Sequence, residues 1–299
     1  MKINNTNYNN NTRNNNPSFK RYFDAAMMKE FEELVYQYKR VNPYLKGEDI
    51  AVMRKSIDSF NAFYKGAQNI NTRNIENQIY NKFHIPADFQ GDKFLAGMGA
   101  LTLNIFKKLR LPLPTGLYVK PLKDNVAACC DTMQRYITFN QNDNWSDVQY
   151  RMIAEKLHNW AASGHFLKTP IHEFMHSVHL FNMHKLAAQK QSSGSSLYNK
   201  MINDFLKMDF ITTMINQAGS PLIDKTANSQ VFQKVSRYGA STPAEMYADI
   251  GAKMITYNLD RKTILPSKNP FVFKDFTEDK YLMKMMNDIW SGNVKDYIT

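Results

Sequence analysis

Two histidines four residues apart, with a glutamate between them, are the part of this sequence best equipped for chemistry. They lie in Thr169-Pro170-Ile171-His172-Glu173-Phe174-Met175-His176-Ser177-Val178-His179-Leu180. On a helix, residues four apart share one face, so His172 and His176 can aim both imidazoles at one metal ion. Glu173 lies about 100° further round, which sets its carboxylate beside the metal and near a bound water. Two neutral imidazoles, an open coordination position and a nearby base are what zinc-assisted hydrolysis needs. Short strings of this kind also arise by chance on polar surface helices, so another part of the chain has to supply a third ligand.

The flanking residues predict the helix. Thr169 can cap it, and Pro170 fits the first helical position, where no amide hydrogen is required. No Gly or Pro follows until Gly194, and Phe174, Val178, Phe181 and Leu186 form an apolar face. About 70 residues downstream, Tyr238-Gly239-Ala240-Ser241-Thr242-Pro243-Ala244-Glu245-Met246-Tyr247-Ala248-Asp249 opens a second helix with the same Thr-Pro entry. Glu245 and Asp249 share a face there, with Glu245 in the first turn. A carboxylate added to two histidines makes the His₂Glu set of a catalytic zinc site. Asp249 is placed to accept the Nδ1 proton of a ligand histidine and so hold its tautomer. Alone, Thr242 and Glu245 read as a capping box. Joined to His172 and His176, Glu245 reads as the third ligand.

His179 is the rival ligand. It shares the face of His172 and His176, but on a continuous helix it lies about 10 Å along the axis from His172. No glycine follows His176 to turn the chain back, and Asn182 stands where a third histidine would be needed. His179 and His184 are therefore expected in supporting or surface roles, and His84, His158 and His165 in structural ones.

His172-Glu173-x-x-His176 with Glu245-x-x-x-Asp249 resembles the gluzincin clan of zinc metallopeptidases. The string His-Glu-Phe-Met-His-Ser-Val-His is similar to the active-site helix of the lethal-factor-like branch, which includes the Pro-Pro endopeptidases. That branch carries a Tyr seven residues before the ligand Glu, and Tyr238 has that spacing. The resemblance spans about Arg135 to Ile255. It implies a zincin-like fold, a Zn²⁺ cofactor, a protein or peptide substrate, and a part for Tyr238 in stabilising the oxyanion. Met175 stands where the family often has Gly, and His179 where Asp or Thr is common. Both changes leave the ligands intact and bear on the substrate pocket.

The rest of the chain must position this site. The sequence has 299 residues, is 43% hydrophobic and 13% aromatic, and can bury a sizeable core. Residues 1–18 are an Asn-rich tail expected to be disordered. Residues 19–88 read as an accessory helical region, and residues 89–299 as the zincin-like metallopeptidase domain. Helical spacing marks Phe19–Lys65 (interrupted at Asn42-Pro43), Thr72–Phe83, Asp92–Leu109, Ser146–Ala162 and Leu197–Gln217, with loops at His84–Gly91 and Gln191–Ser196. Three short strands are expected, at Leu117–Pro121, Val126–Cys130 and Arg135–Asn140. The class is α+β, mainly α-helical, with a small mixed sheet. The strand Tyr136, Ile137, Thr138, Phe139 and Asn140 is expected to pair with an extended peptide substrate by main-chain hydrogen bonds.

Composition narrows the alternatives. The net charge of +11 comes from 38 basic and 27 acidic side chains, but the basic residues are scattered and no nucleic-acid-binding signature accompanies them. No nucleic-acid partner is expected, and no apolar run is long enough for a membrane span. Adjacent Cys129 and Cys130 are a poor disulfide pair and read as reduced strand residues. With no signal peptide legible, a cytoplasmic location or non-classical export is expected. Oligomeric state is not legible in the sequence. The competing function is a catalytically inactive binding or structural protein on the same scaffold, although such a protein has no need of Glu173.

Overall fold

The structure of the chain is a computed structural model that describes residues 22–123, 126–190, 232–241 and 243–259, with the backbone alone at 182–190, 243 and 246. The Asn-rich tail, the helix expected at 197–217 and the Thr242 cap lie outside these residues. Seven α-helices and four strands are described: α1 Ala25–Val41, α2 Gly47–Ala67, α3 Thr72–Phe83, β1 Ala87–Asp88, α4 Lys93–Lys108, β2 Leu117–Lys120, β3 Ala128–Cys130, β4 Ile137–Asn140, α5 Val148–Leu157, α6 Lys168–Lys190 and α7 Pro243–Asn258. The fold is α+β and mainly helical. No described helix is long and apolar enough to cross a membrane.

Side chains start several helices. Asp24 accepts from the amides of Ala26 and Met27, Asn71 from Asn74, and Asp92 from Leu95, each satisfying donors that a helix leaves open. Gly97 and Gly99 bring α4 close to its neighbours. A Cβ at Gly97 would lie 2.7 Å from Phe63, and one at Gly99 would lie 2.9 Å from Phe89. Buried residues from Phe23 to Ile255 form one apolar cluster, so α1–α3 pack into the same core as α6 and α7.

The sheet order is β1-β2-β4-β3. Strand β1 falls in the stretch read as a loop and pairs parallel with β2; β2 pairs parallel with β4, and β3 antiparallel with β4. Strand β4 therefore has neighbours on both sides. Its four residues are all buried, and the Asn140 side chain is occupied by the amides of Leu122 and Asn142 and the carbonyl of Val126. This corrects the expectation that Tyr136–Asn140 would take up a peptide as an added strand. Among the described residues, the sheet's edges are the two-residue β1 and the strand β3, which packs against α6.

Candidate metal centre

Helix α6 begins at Lys168, earlier than Thr169 was expected to start it. Just before it, the His165 carbonyl accepts from the amide of Lys168 at 2.8 Å, and His165 Nδ1 accepts from the amide of Leu167 at 3.1 Å. Burial pushes the His165 imidazole down to about 3, so the ring is neutral and keeps the lone pair this bond needs. Thr169 lies within the first turn, its hydroxyl on the Met152 sulfur, and Pro170 follows where a missing amide hydrogen is still harmless. The helix then runs unbroken through His172, Glu173 and His176 to Lys190. The chain does not turn back after His176. His179 instead stacks on Tyr247, with ring centroids 4.2 Å apart.

Helix α7 packs along α6. A Cβ at Gly251 would lie 2.6 Å from the end of the Met175 side chain, so the bulk of Met175 finds its space opposite a residue with none. The close approach carries Glu245 and Asp249 to the two histidines. The Nε2 atoms of His172 and His176 are 3.1 Å apart, and Glu245 Oε2 lies 2.8 Å from the first and 3.4 Å from the second. Among the described residues these three form the one group able to hold a metal ion.

Asp249 is fully buried behind His172. Its Oδ1 is 2.6 Å from His172 Nδ1, which assigns a ring proton to Nδ1 and turns Nε2 towards His176 and Glu245. Two residues that the sequence reading missed complete this arrangement. The Lys168 ammonium, itself buried, lies 3.0 Å from Asp249 Oδ1, and Ser236 Oγ donates to Oδ2 at 2.5 Å. Lys168 sits one turn before His172 on the same face, and that position was the available signal. Ser236 had none, because its role depends on how residues 232–241 fold back.

The charges act on one another. Burial raises Asp249, but Lys168 and His172 hold its carboxyl well below the usual range. Burial and Lys168 push His172 down, yet Asp249 and Glu245 more than offset them and hold the metal-free imidazole at about 9. Burial also pushes Glu245 up, and His176 and His172 hold it well below its ordinary value. Glu173 goes the other way: burial raises it, against the pull of His172 and His176.

Tyr238 lies against the site. Its ring is 5.6 Å from that of His172, the Lys168 ammonium sits over it at 5.4 Å, and its hydroxyl hydrogen-bonds to Glu245. Burial and the charges of Glu245 and Glu173 keep the phenol protonated, well above its ordinary value. Gly239 lets the chain pass close behind it, because a Cβ there would lie 2.9 Å from both Asp249 Cβ and Ser236 Oγ.

No family model, curated protein or solved structure matches the chain.

The remaining candidates lie elsewhere. His84 is an exposed residue that ends α3 in the left-handed region, at φ 57°. His158 is exposed and pairs with the Tyr38 hydroxyl at 2.7 Å. The side chain of His184 is outside those described. Cys129 is exposed and Cys130 partly buried on β3. Burial and the nearby Glu173 raise both thiols, which makes neither a reactive nucleophile.

Proposed function

We propose that the chain is a zinc-dependent endopeptidase. The observation that carries this reading is the convergence of His172 Nε2, His176 Nε2 and Glu245 Oε2 at separations of 2.8 to 3.4 Å. With Nδ1 of His172 donating to Asp249, a metal ion that displaced the remaining Nε2 proton would meet three donor atoms already facing one another. Ligands about 2.0–2.1 Å from a tetrahedral zinc ion stand about 3.3 Å from each other, so the donor set fits that metal. Bound zinc would polarise the scissile carbonyl and lower the pKa of a water molecule towards about 7.

The chain's own residues would do the rest. The Glu173 carboxylate accepts the water proton and returns it to the departing amine nitrogen. Its burial suits it to both tasks, because a carboxyl raised from its ordinary range gives up and takes a proton more evenly near neutral pH. Tyr238 donates its protonated hydroxyl to the substrate oxygen as negative charge builds there. Asp249 and Lys168 keep the His172 ring from rotating. An extended substrate would add to the open edge of β3, beside Glu173.

Glu173→Gln tests the reading. The variant is expected to keep about one zinc per chain and to lose about 10²–10⁴-fold in turnover of a peptide library. Cleavage at the wild-type rate by the variant, or none by the zinc-loaded wild type, would overturn it.

A further inference from the structure

Residues 232–241 carry Tyr238 and Ser236 to the site, yet they contain no strand and only a short helical turn. What fixes them comes from outside the segment, and much of it traces to one carboxylate on α2. Asp49 is buried, 2% exposed. It accepts from the amide of Lys46 at 2.8 Å and from the Tyr257 hydroxyl of α7. The ammonium groups of Lys156 on α5 and Lys253 on α7 lie 3.1 and 3.7 Å from it.

Each lysine has a second partner. Lys156 Nζ donates to the carbonyl of Val235 at 3.2 Å, and Lys253 Nζ to that of Lys234 at 2.5 Å. One anion thus aims two cations at consecutive carbonyls directly before Ser236. From α5's end, Asn159 Nδ2 donates to the Phe232 carbonyl at 2.9 Å, and the amides of Arg237 and Tyr238 donate to the carbonyls of Asn159 and Trp160. The ring of Tyr44, in the α1–α2 connection, stands edge-on to Phe232.

A buried ion pair is a weak stabiliser, because desolvation of the charges offsets much of their attraction, and apolar residues often serve as well. Apolar residues could not, however, direct donors at two particular carbonyls. We propose that Asp49, acting through Lys156 and Lys253, is a positioning residue that holds residues 234–239 so that Tyr238 faces the metal site. On this view the N-terminal helices are part of the catalytic apparatus. The inference rests on the peptidase reading for its kinetic consequence, though the clamp itself can be measured without it.

The test is a double-mutant cycle on the full chain, with Asp49→Asn, Tyr238→Phe and their combination. Asp49→Asn is expected to lower kcat about 10- to 100-fold with KM little changed, since misplacing a catalytic group by about an ångström has that effect. In the Tyr238→Phe background the same change should alter kcat less than about twofold, because the residue it acts through is already disabled. Equal losses in both backgrounds would overturn the proposal, since they would reflect general destabilisation.

Hydrogen exchange on metal-free protein supplies the second readout. Asp49→Asn should speed exchange at the amides of Arg237, Tyr238 and Gly239 while α6 keeps its protection. Unchanged exchange there would overturn the clamp. If Asp49→Asn does not fold, Lys253→Met removes the tie to Lys234 and one of the two cations beside Asp49, leaves the Lys156 tie to Val235, and should speed exchange at the same amides. A wild type that cleaves no peptide would end the peptidase reading, and the exchange data would still decide the clamp.

Discussion

Replacing Asp249 by Asn isolates the charge at the heart of the site. Both His172 Nδ1 and Lys168 Nζ meet Oδ1, at 2.6 and 3.0 Å, and Ser236 Oγ meets Oδ2 at 2.5 Å. An asparagine with its carbonyl towards His172 and Lys168 keeps those two bonds, and its amide can donate to the Ser236 oxygen. The hydrogen bonds survive and the negative charge does not. Lys168 is then left as a buried cation, 8% exposed, without its nearest anion. Breaking a buried pair in this way costs about 3–5 kcal/mol. His172 also loses the charge that makes it basic, and losing such a partner weakens metal binding about 10- to 100-fold.

Urea unfolding of the metal-free protein measures the first effect, and competition with a chromogenic zinc chelator the second. Lys168→Met added to Asp249→Asn should recover part of the lost stability, because no buried cation remains. If Asp249→Asn unfolds within about 0.5 kcal/mol of wild type and binds zinc within about twofold, the account of this network is wrong.

Two further outcomes follow from the same geometry. The metal-free His172 is held at about 9, above the 6.5 of an unfolded chain, so its contribution is fully present below pH 6.5 and is lost as pH rises through 9. Metal-free protein should therefore melt at lower temperature at pH 9 than at pH 6.5, while the zinc-loaded form, with no proton there to lose, should show little of this slope; parallel slopes would count against it. Gly239→Ala places a Cβ 2.9 Å from Asp249 Cβ and Ser236 Oγ, and such overpacking costs about 1–3 kcal/mol. A lowered melting temperature is expected, and an unchanged one would mean that the two helices and the Tyr238 segment do not meet this closely.

The residues that converge on the site were legible because their relation is local. A helix repeats every 3.6 residues, so His172 with His176, and Glu245 with Asp249, must share a face wherever the helices lie. The absence of a glycine after His176 was equally readable, and α6 does run unbroken past it. The α+β class followed from the periods of the segments. Lys168 could have been found by the same rule, one turn before His172.

Other features depended on which distant segments meet. The alternation in Arg135–Asn140 marks a strand but contains nothing about its neighbours, and only the sheet order shows β4 to be internal and leaves β1 and β3 at the edges. Helix α6 starts at Lys168, before Thr169, because the chain ahead of it folds into a turn in which the buried His165 imidazole reaches the Leu167 amide. Ser236, Asp49, Lys156 and Lys253 have no periodic signature, and their sequence separations span most of the described chain. Short-range periodicity therefore determined which side chains could bind a metal. Long-range packing alone decided what holds those side chains in place, because burial brings together charges that the sequence keeps far apart.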